Sequence, residues 1–471
     1  MNRRFEKQRS TLRNVLAAAL ALLAINAPAQ QPATGRPSKG AGMSQAAGAP
    51  QVYEFSLAQA LDYASKNSAK VKNALLDYKI QEQSNRATTS QALPQISASG
   101  GLTDYFQIPV SVVPGTFVQQ PQEKLVPFAF ATQYSANAGV TLKQVLFDGQ
   151  VFVGLQARQT SLEYYRKNQE YTEQMLRENI YKVYYQLSIS RIQVTLIDAN
   201  IARAQELLHN TTEMFKNGFS EQLDVDKATV QLTNLQSEKV QTLYNIDNGY
   251  LGLKVLIGMP IQDSLVLTDS LTYEIVREGA LTDPYKYSDR KDYQVLELNR
   301  KLNEYDIKRY KKQYIPSASL TANYTQTGYG IDFSDIYRGK YWYPSSYVGL
   351  NISVPIFDGF YKDANIKEAN LKLQQTNNNI DALKISIDND VKSAQLKFTA
   401  ALASLDYEKK NMDLATSVYE QTRKKYEQGL GSNTEITSAQ TDLIQAQNNY
   451  FNALYNAISA KVDYQTAIGK L

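Results

Sequence analysis

Between Ile436 and Ala467 the apolar positions step by three and four without a slip: Ile436, Ala439, Leu443, Ala446, Tyr450, Ala453, Ala457, Ala460, Tyr464, Ala467. That is a heptad seam, the pattern of helices wound on one another, and its many alanines permit close approach of a neighbour. Val225, Ala228, Leu232, Leu235, Ile246, Gly249, Leu253 and Leu256 keep the same spacing earlier in the chain, with Lys239 and Thr242 inside the seam. A third stripe runs Ile366, Ala369, Leu373, Ile380, Leu383, Ile387, Val391, Ala394, Phe398, Ala401, Leu405, with no glycine between Gly359 and Gly429. It predicts one helix from about 360 to 427, roughly 100 Å long at 1.5 Å per residue. Few globular helices run so far. The stretch between Gly149 and Gly218 predicts its counterpart.

Other stretches alternate with a period of two. Val348, Leu350, Ile352, Val354 and Ile356 are separated by Gly349, Asn351, Ser353 and Pro355. Ala318, Leu320, Ala322 and Tyr324 alternate with Ser319, Thr321, Asn323 and Thr325, and Tyr134 to Lys143 does the same. Ile96 to Tyr105 is a poorer example, because Asp104 breaks the apolar register. Taken alone, such strands fit a soluble sheet on a core. Here the helix seams are already used and no other apolar layer is left, so the pattern predicts strands between lipid and a wet lumen.

The chain repeats itself. Gln144-Val145-Leu146-Phe147-Asp148-Gly149 returns as Val354-Pro355-Ile356-Phe357-Asp358-Gly359, Lys216-Asn217-Gly218-Phe219 as Glu427-Gln428-Gly429-Leu430, and Leu93-Pro94-Gln95-Ile96-Ser97 as Ile315-Pro316-Ser317-Ala318-Ser319. The Pro94–Phe147 stretch is about twelve residues longer than its counterpart, as an insertion in an exposed loop would make it. Each unit reads helix, strand, strand, helix, helix. The first spans residues 53–258, with strands at about 95–107 and 133–147; the second spans 288–471, with strands at about 317–329 and 346–357. Residues 107–131 and 330–346 are candidate extracellular loops, the first expected to be irregular because it holds Pro109, Pro114, Pro121 and Pro127.

Composition narrows the chemistry. There is no cysteine, which excludes disulfides, zinc thiolates and thiol catalysis, and the single histidine, His209, reads as a helix-surface residue. The net charge of +4 is carried by Arg3, Arg4, Lys7, Arg9 and Arg13 against Glu6, leaving the rest of the chain balanced and removing a general nucleic-acid binder. Those charges precede an apolar run from Val15 to Ile25 and the small residues Ala27-Pro28-Ala29. Residues 1–29 are thus expected to be a secretory signal peptide, and residues 30–52 a flexible lead.

Four strands cannot close a membrane barrel, and an open edge in lipid costs several kcal/mol per unsatisfied backbone group. The chain is therefore expected to oligomerise, gathering its long helices into a hollow bundle. A polar-lined barrel continuous with such a bundle is a conduit.

On Lys425-Tyr426-Glu427-Gln428-Gly429, Glu435-Ile436, Ala439-Gln440, Leu443, Ala446, Ala453, Tyr455, Ala460 and Gly469, with the weaker copy Phe215-Lys216-Asn217-Gly218, Asp224-Val225, Ala228, Leu235, Tyr244 and Leu256-Ile257-Gly258, the chain resembles the TolC-like outer-membrane efflux and secretion family over nearly all of its length after Val52. The resemblance implies an α+β membrane protein. It would be a homotrimer whose 12-stranded β-barrel continues into a 12-helix periplasmic α-barrel tunnel, serving as the exit duct of a tripartite efflux or type I secretion system. Implied partners are a periplasmic adaptor, an inner-membrane transporter of RND, ABC or MFS type, and outer-membrane lipid. Neither cofactor nor metal is implied. Residues 259–287 resemble the family's irregular equatorial band.

Gly218 and Gly429 end long helices, where a tight turn wants glycine. The resemblance adds adaptor docking through these tips, with Phe219, Leu430 and Gly431. Six residues past each glycine stand Asp224 and Glu435. In the family these places face the axis near a constriction, and the tyrosine matching Tyr426 bonds to the carboxylate matching Asp224. Under three-fold symmetry each carboxylate becomes a ring that favours cations. Ser432-Asn433-Thr434-Glu435 also reads as a capping box, so Glu435 has a structural reading beside the pore one. The family's gate further uses a basic residue where Gly431 stands, a departure that weakens any closed-state lock. Tyr105, Phe106, Tyr134, Tyr329, Tyr341, Trp342, Tyr343 and Tyr347 fall near strand ends, where aromatic girdles form. The competing reading is a secreted coiled-coil structural or adhesive protein, which explains the heptads but not the paired strands. No phosphate loop, nucleophile elbow or ligand cluster supports an enzyme.

Overall fold

A computed structural model describes residues 51–119, 122–269, 271–277 and 284–471; the expected signal peptide and the lead up to residue 50 lie outside the described residues. In chain order the elements are β1 (Val52–Phe55), α1 (Leu57–Asn67), α2 (Ala69–Ser90), β2 (Gln95–Asp104), β3 (Val110–Pro114), β4 (Leu125–Ala129), β5 (Tyr134–Phe147), α3 (Gly149–Lys216) and α4 (Gln222–Ile257). They continue with β6 (Ser264–Leu267), α5 (Tyr273–Arg277), α6 (Lys291–Lys312), β7 (Ser317–Gly330), α7 (Phe333–Tyr337), β8 (Trp342–Ser353), α8 (Tyr361–Glu427) and α9 (Asn433–Ala467).

Strands β2, β5, β7 and β8 form one antiparallel sheet in that order. Its register separates two kinds of row. Ile96, Leu142, Ala322 and Val348 stand side by side across the sheet, and the next row is Ser97, Thr141, Asn323 and Tyr347. Asn323 Nδ2 donates to Thr141 Oγ1 at 2.9 Å within the polar row. Val348, Leu350 and Ile352 are exposed in the protomer, and β2 and β8 each leave one edge unpaired among the described residues. No described helix is long and apolar enough to cross a membrane.

The repeated Phe-Asp-Gly is the corner between sheet and long helix. Asp148 caps α3 by accepting from Gln150 N at 2.8 Å, and Asp358 accepts from Lys362 N at 3.2 Å. Along α9 every seam residue is buried except Tyr450, which is half-buried. Lys239, in the seam of α4, is met by Asp198 of α3 at 2.6 Å. Helix α8 carries two apolar stripes of different pitch. Val391, Phe398 and Leu405 are buried at heptad spacing, whereas Ile385, Leu396, Tyr407 and Val418 recur every eleven residues and are exposed. A second exposed stripe, Leu223, Val230, Tyr244 and Leu251, lies on α4.

Three features depart from expectation. The first candidate loop is not irregular throughout: β3 and β4 pair antiparallel, with Val112 opposite Pro127. A two-stranded ribbon consists only of edges, where a proline nitrogen owes no ladder bond. The stretch expected as an irregular band contains β6, which pairs in parallel with β1. Buried Tyr184 of α3 locks that pair by donating to Phe55 O at 2.9 Å and accepting from Asp269 N at 3.1 Å. Strand β8 begins and ends about four residues earlier than the alternation suggested: its ladder opens where Trp342 pairs with Gly328 and stops where Ser353 meets Ser317, the first residue of β7 after Pro316.

Asp463 of α9 ties three long helices together, meeting Lys182 of α3 at 2.6 Å and Lys397 of α8 at 2.8 Å. Burial opposes its ionisation, but hydrogen bonds from the two ammonium groups hold its carboxyl below the ordinary value. A depressed acid contributes stability that is complete above its unfolded value, near ~3.9, and lost as pH falls through the folded one. Lys182, raised by the same pairing against burial, contributes below its unfolded value of ~10.4 and loses that contribution as pH rises through its folded one. Thermal melting in detergent should therefore weaken below about pH 4 in wild type. Asp463→Asn should cost about 2 kcal/mol at neutral pH and flatten that acid limb. An unchanged acid limb in the variant would remove Asp463 from this role.

Candidate functional site: the helix tips

Each long helix closes on a left-handed glycine. Gly218 (φ +80°) and Gly429 (φ +73°) would meet nothing within 4 Å if given a Cβ, so handedness and not room selects glycine there. Phe219 N donates to Met214 O at 2.8 Å and Leu430 N to Lys425 O at 2.9 Å, completing two like caps. The residues just beyond are left out in solvent: Phe219 is 80% and Leu430 77% exposed. Gly431 lies against the Tyr426 backbone, its added Cβ 3.2 Å from Tyr426 N, so a larger residue there would press on the last turn of α8.

Tyr426 is buried beside Leu207, Tyr419, Ile436, Ala439 and Leu443. Within the protomer its hydroxyl meets Thr211 Oγ1 of α3 at 3.1 Å, and not Asp224, the partner that the resemblance implied. Tyr426 reaches from α8 onto α3, while the Asp224 carboxylate is engaged at the start of its own helix. Asp224 instead accepts from Ser220 Oγ at 3.0 Å and faces Lys227 at 3.7 Å. Asn433 Nδ2 reaches the Asp224 main-chain oxygen at 3.4 Å. The Asn433 amide beside it, and then the bond from Ser220, hold the Asp224 carboxyl below its usual range despite some burial. Glu435 is exposed, and its backbone nitrogen donates to Ser432 Oγ at 3.2 Å, half of the expected capping box. Its carboxylate forms no salt bridge among the described residues and is available to solvent.

Further links between α3 and α8 near the tip escaped sequence reasoning. Arg423 faces Glu206 at 3.9 Å and Glu427 at 3.2 Å, while the Arg203 guanidinium lies 5.6 Å from the centre of the Tyr419 ring. Only the i, i+4 spacing of Arg423 and Glu427 was visible in the sequence. Helices α4 and α9 meet here through polar groups. Asn433–Asp224 and, farther up, Asn448 Nδ2 to Glu238 Oε1 at 3.3 Å bridge them. Between those bridges the fully buried amide of Gln440 has no hydrogen-bond partner among the described residues. His209 is exposed on α3. No group of three or more metal-ligating side chains occurs among the described residues.

The family model described as "Outer membrane efflux protein" matches residues 60–259 and 288–470. The outer membrane protein TolC of Vibrio cholerae is 21% identical over 338 residues, covering 71% of this chain and 77% of that protein. The outer membrane efflux protein BepC of Brucella suis is 21% identical over 423 residues, 88% and 85% of the two chains. Among solved structures, CusC superposes with a TM-score of 0.72 at 16% identity, covering 88% of this chain and 92% of its own. VceC of Vibrio cholerae gives 0.69 at 14% identity, covering 88% and 96%. The family model takes in both repeats and the four structural strands, and on that match the chain belongs to the outer membrane efflux protein family, TolC-like proteins of the Gram-negative outer membrane.

Proposed function

We propose that three copies of this chain form a passive exit duct, with a twelve-stranded barrel in the outer membrane continuing into a twelve-helix tunnel on the periplasmic side. The observation that carries this reading is the open-edged four-stranded sheet, apolar on one face and polar on the other, that feeds helices of 68 and 67 residues. Unpaired edges on β2 and β8 allow one copy's sheet to continue into the next, and closure removes every edge from lipid. The exposed apolar stripes on α4 and α8 supply the helical part of the same contact. Exposed Phe219 and Leu430 at the tips suit docking of a periplasmic adaptor, and through it an inner-membrane transporter. Asp224 and Glu435 would line the narrow end as rings of negative charge. The secreted coiled-coil reading is not favoured, because it leaves the sheet unused.

The tip bonds act as the gate. Breaking Tyr426–Thr211 removes about 1 kcal/mol in each protomer, or about 3 kcal/mol for three copies opening together, an order of 100-fold on the opening equilibrium. In a planar bilayer the wild type should show small, cation-selective openings. Tyr426→Phe should lengthen or widen them, and Asp224→Ala should lower the cation preference. A conducting wild type with indifferent variants would keep the duct and return these residues to structural roles. A water-soluble oligomer that never inserts would remove the duct.

A further inference from the structure

The helix that feeds β7 ends in positive charge that its repeat-mate lacks. With Pro94 set on Pro316, Thr89-Ser90-Gln91-Ala92 of the first unit stands where Lys311-Lys312-Gln313-Tyr314 stands in the second. Both helices close alike, with Gln91 at φ −64°, ψ −24° and Gln313 at φ −66°, ψ −17°. Lysines at a helix end gain about 0.3–1 kcal/mol from the dipole. The first unit makes the same corner without them, so the fold does not require this charge.

Lys308, Lys311 and Lys312 are exposed, and none forms a salt bridge among the described residues. The neighbouring cations Arg309 and Lys362 are taken by Asp306 and Asp358. Lys308, Lys311 and Lys312 stand at the spacing that shares one helical face, and Ile315 follows three residues beyond the end of α6. Ile315 and the Tyr314 ring, both exposed, lie just before β7, whose apolar row Ala318, Leu320 and Ala322 would face lipid in the proposed barrel. Charge, exposed aromatic ring and apolar side chain thus succeed one another along the chain as headgroup, interface and acyl region do through a leaflet.

Resting on the barrel reading above, we propose that Lys308, Lys311 and Lys312, with Tyr314 and Ile315, bind the headgroup of an anionic phospholipid in the leaflet facing the periplasm. The ammonium groups take the phosphate, and the acyl chains continue along Ile315 and the apolar row of β7. The Tyr314 ring also carries the Lys362 ammonium 5.4 Å from its centre, so it is exposed Ile315 that a free phosphate, matching only the lysines, would leave without a role.

The test is native mass spectrometry of the detergent-solubilised full chain given equal phosphatidylglycerol and phosphatidylethanolamine. The variant is Lys311→Thr with Lys312→Ser, the first unit's own residues, with helical content checked by circular dichroism. Wild type should retain phosphatidylglycerol preferentially, and the variant should retain it at least about tenfold more weakly, because each lysine near an anionic surface contributes about fivefold. If the double variant loses its helical spectrum, exposed Lys311→Gln alone carries the test, with about a fivefold loss expected. Equal retention by wild type and variant overturns the proposal. Displacement of the lipid by millimolar inorganic phosphate also overturns it and reassigns the site to the free ion. Flotation with liposomes separates the levels: a wild type that does not float sinks the duct reading and this site together, whereas flotation with equal retention sinks the site alone.

Discussion

Gly258→Ala is expected to cost the protein about 3 kcal/mol or more, well beyond the usual range for a change of one methyl group. Gly258 ends α4 at φ +76°, and an added Cβ would sit 2.4 Å from Asn67 O and 2.7 Å from Asn67 C. Both atoms are backbone at the break between α1 and α2, so neither can turn aside. The left-handed conformation alone costs a side chain about 1–2 kcal/mol. Displacing a packed backbone adds about 1–3 kcal/mol. Around this crossing lie Leu57, Ala60, Ala64, Leu253, Ile257 and Met259, so the strain enters a buried cluster. Gly218→Ala is the control: its φ is similar, but nothing lies within 4 Å, and only the conformational cost applies. Thermal melting of both variants in detergent should rank Gly258→Ala clearly lower. Equal losses would mean that the close approach to Asn67 does not constrain the fold.

The second large effect concerns assembly. Ile385→Asp combined with Leu396→Asp should convert the proposed trimer to monomers without loss of helical signal. Both residues are exposed in the protomer, Ile385 at 71%, so they contribute little to its own packing. Buried against a neighbour, each would contribute about 1.5–3 kcal/mol, and together about 3–6 kcal/mol at every interface. Charges in their place also resist desolvation. Light scattering of the purified variant should report the monomer mass. A trimer that survives would put the subunit contact elsewhere on the helices and leave this stripe facing solvent.

Periodicity made most of the secondary structure legible. The unbroken stripe through Ile387, Val391, Ala394 and Phe398 announced a helix longer than a globular core can use. The alternation through Val348, Leu350 and Ile352 announced a strand. What the sequence could not carry were contacts between distant residues with no periodic signature. Strand β1 is four residues long, and its partner β6 lies beyond four helices, so neither has a pattern long enough to read. The β3–β4 ribbon was hidden by prolines that count against a central strand but not against an edge. At the tips, Gly218, Gly429, Asp224 and Glu435 could be located by spacing from the repeat. The partner of Tyr426 could not, because a tyrosine hydroxyl chooses between Thr211 and Asp224 by helix rotation, which one sequence does not encode.

The unequal pitch of the two stripes on α8 has a mechanical consequence. A seam that repeats every seven residues urges a helix to coil to the left, and one that repeats every eleven urges it to the right. In the proposed trimer, with one seam on each side, the two torques would oppose, holding the rod near straight and resisting twist in either sense. The same balance restricts how such a wall can grow. One heptad and one hendecad together make about 18 residues, or five whole turns, so an insertion of that size would lengthen the wall by about 27 Å and keep both faces in phase. Insertions of other lengths would turn one stripe away from its neighbour. Tunnels built on this plan should therefore differ in depth by discrete steps and not continuously.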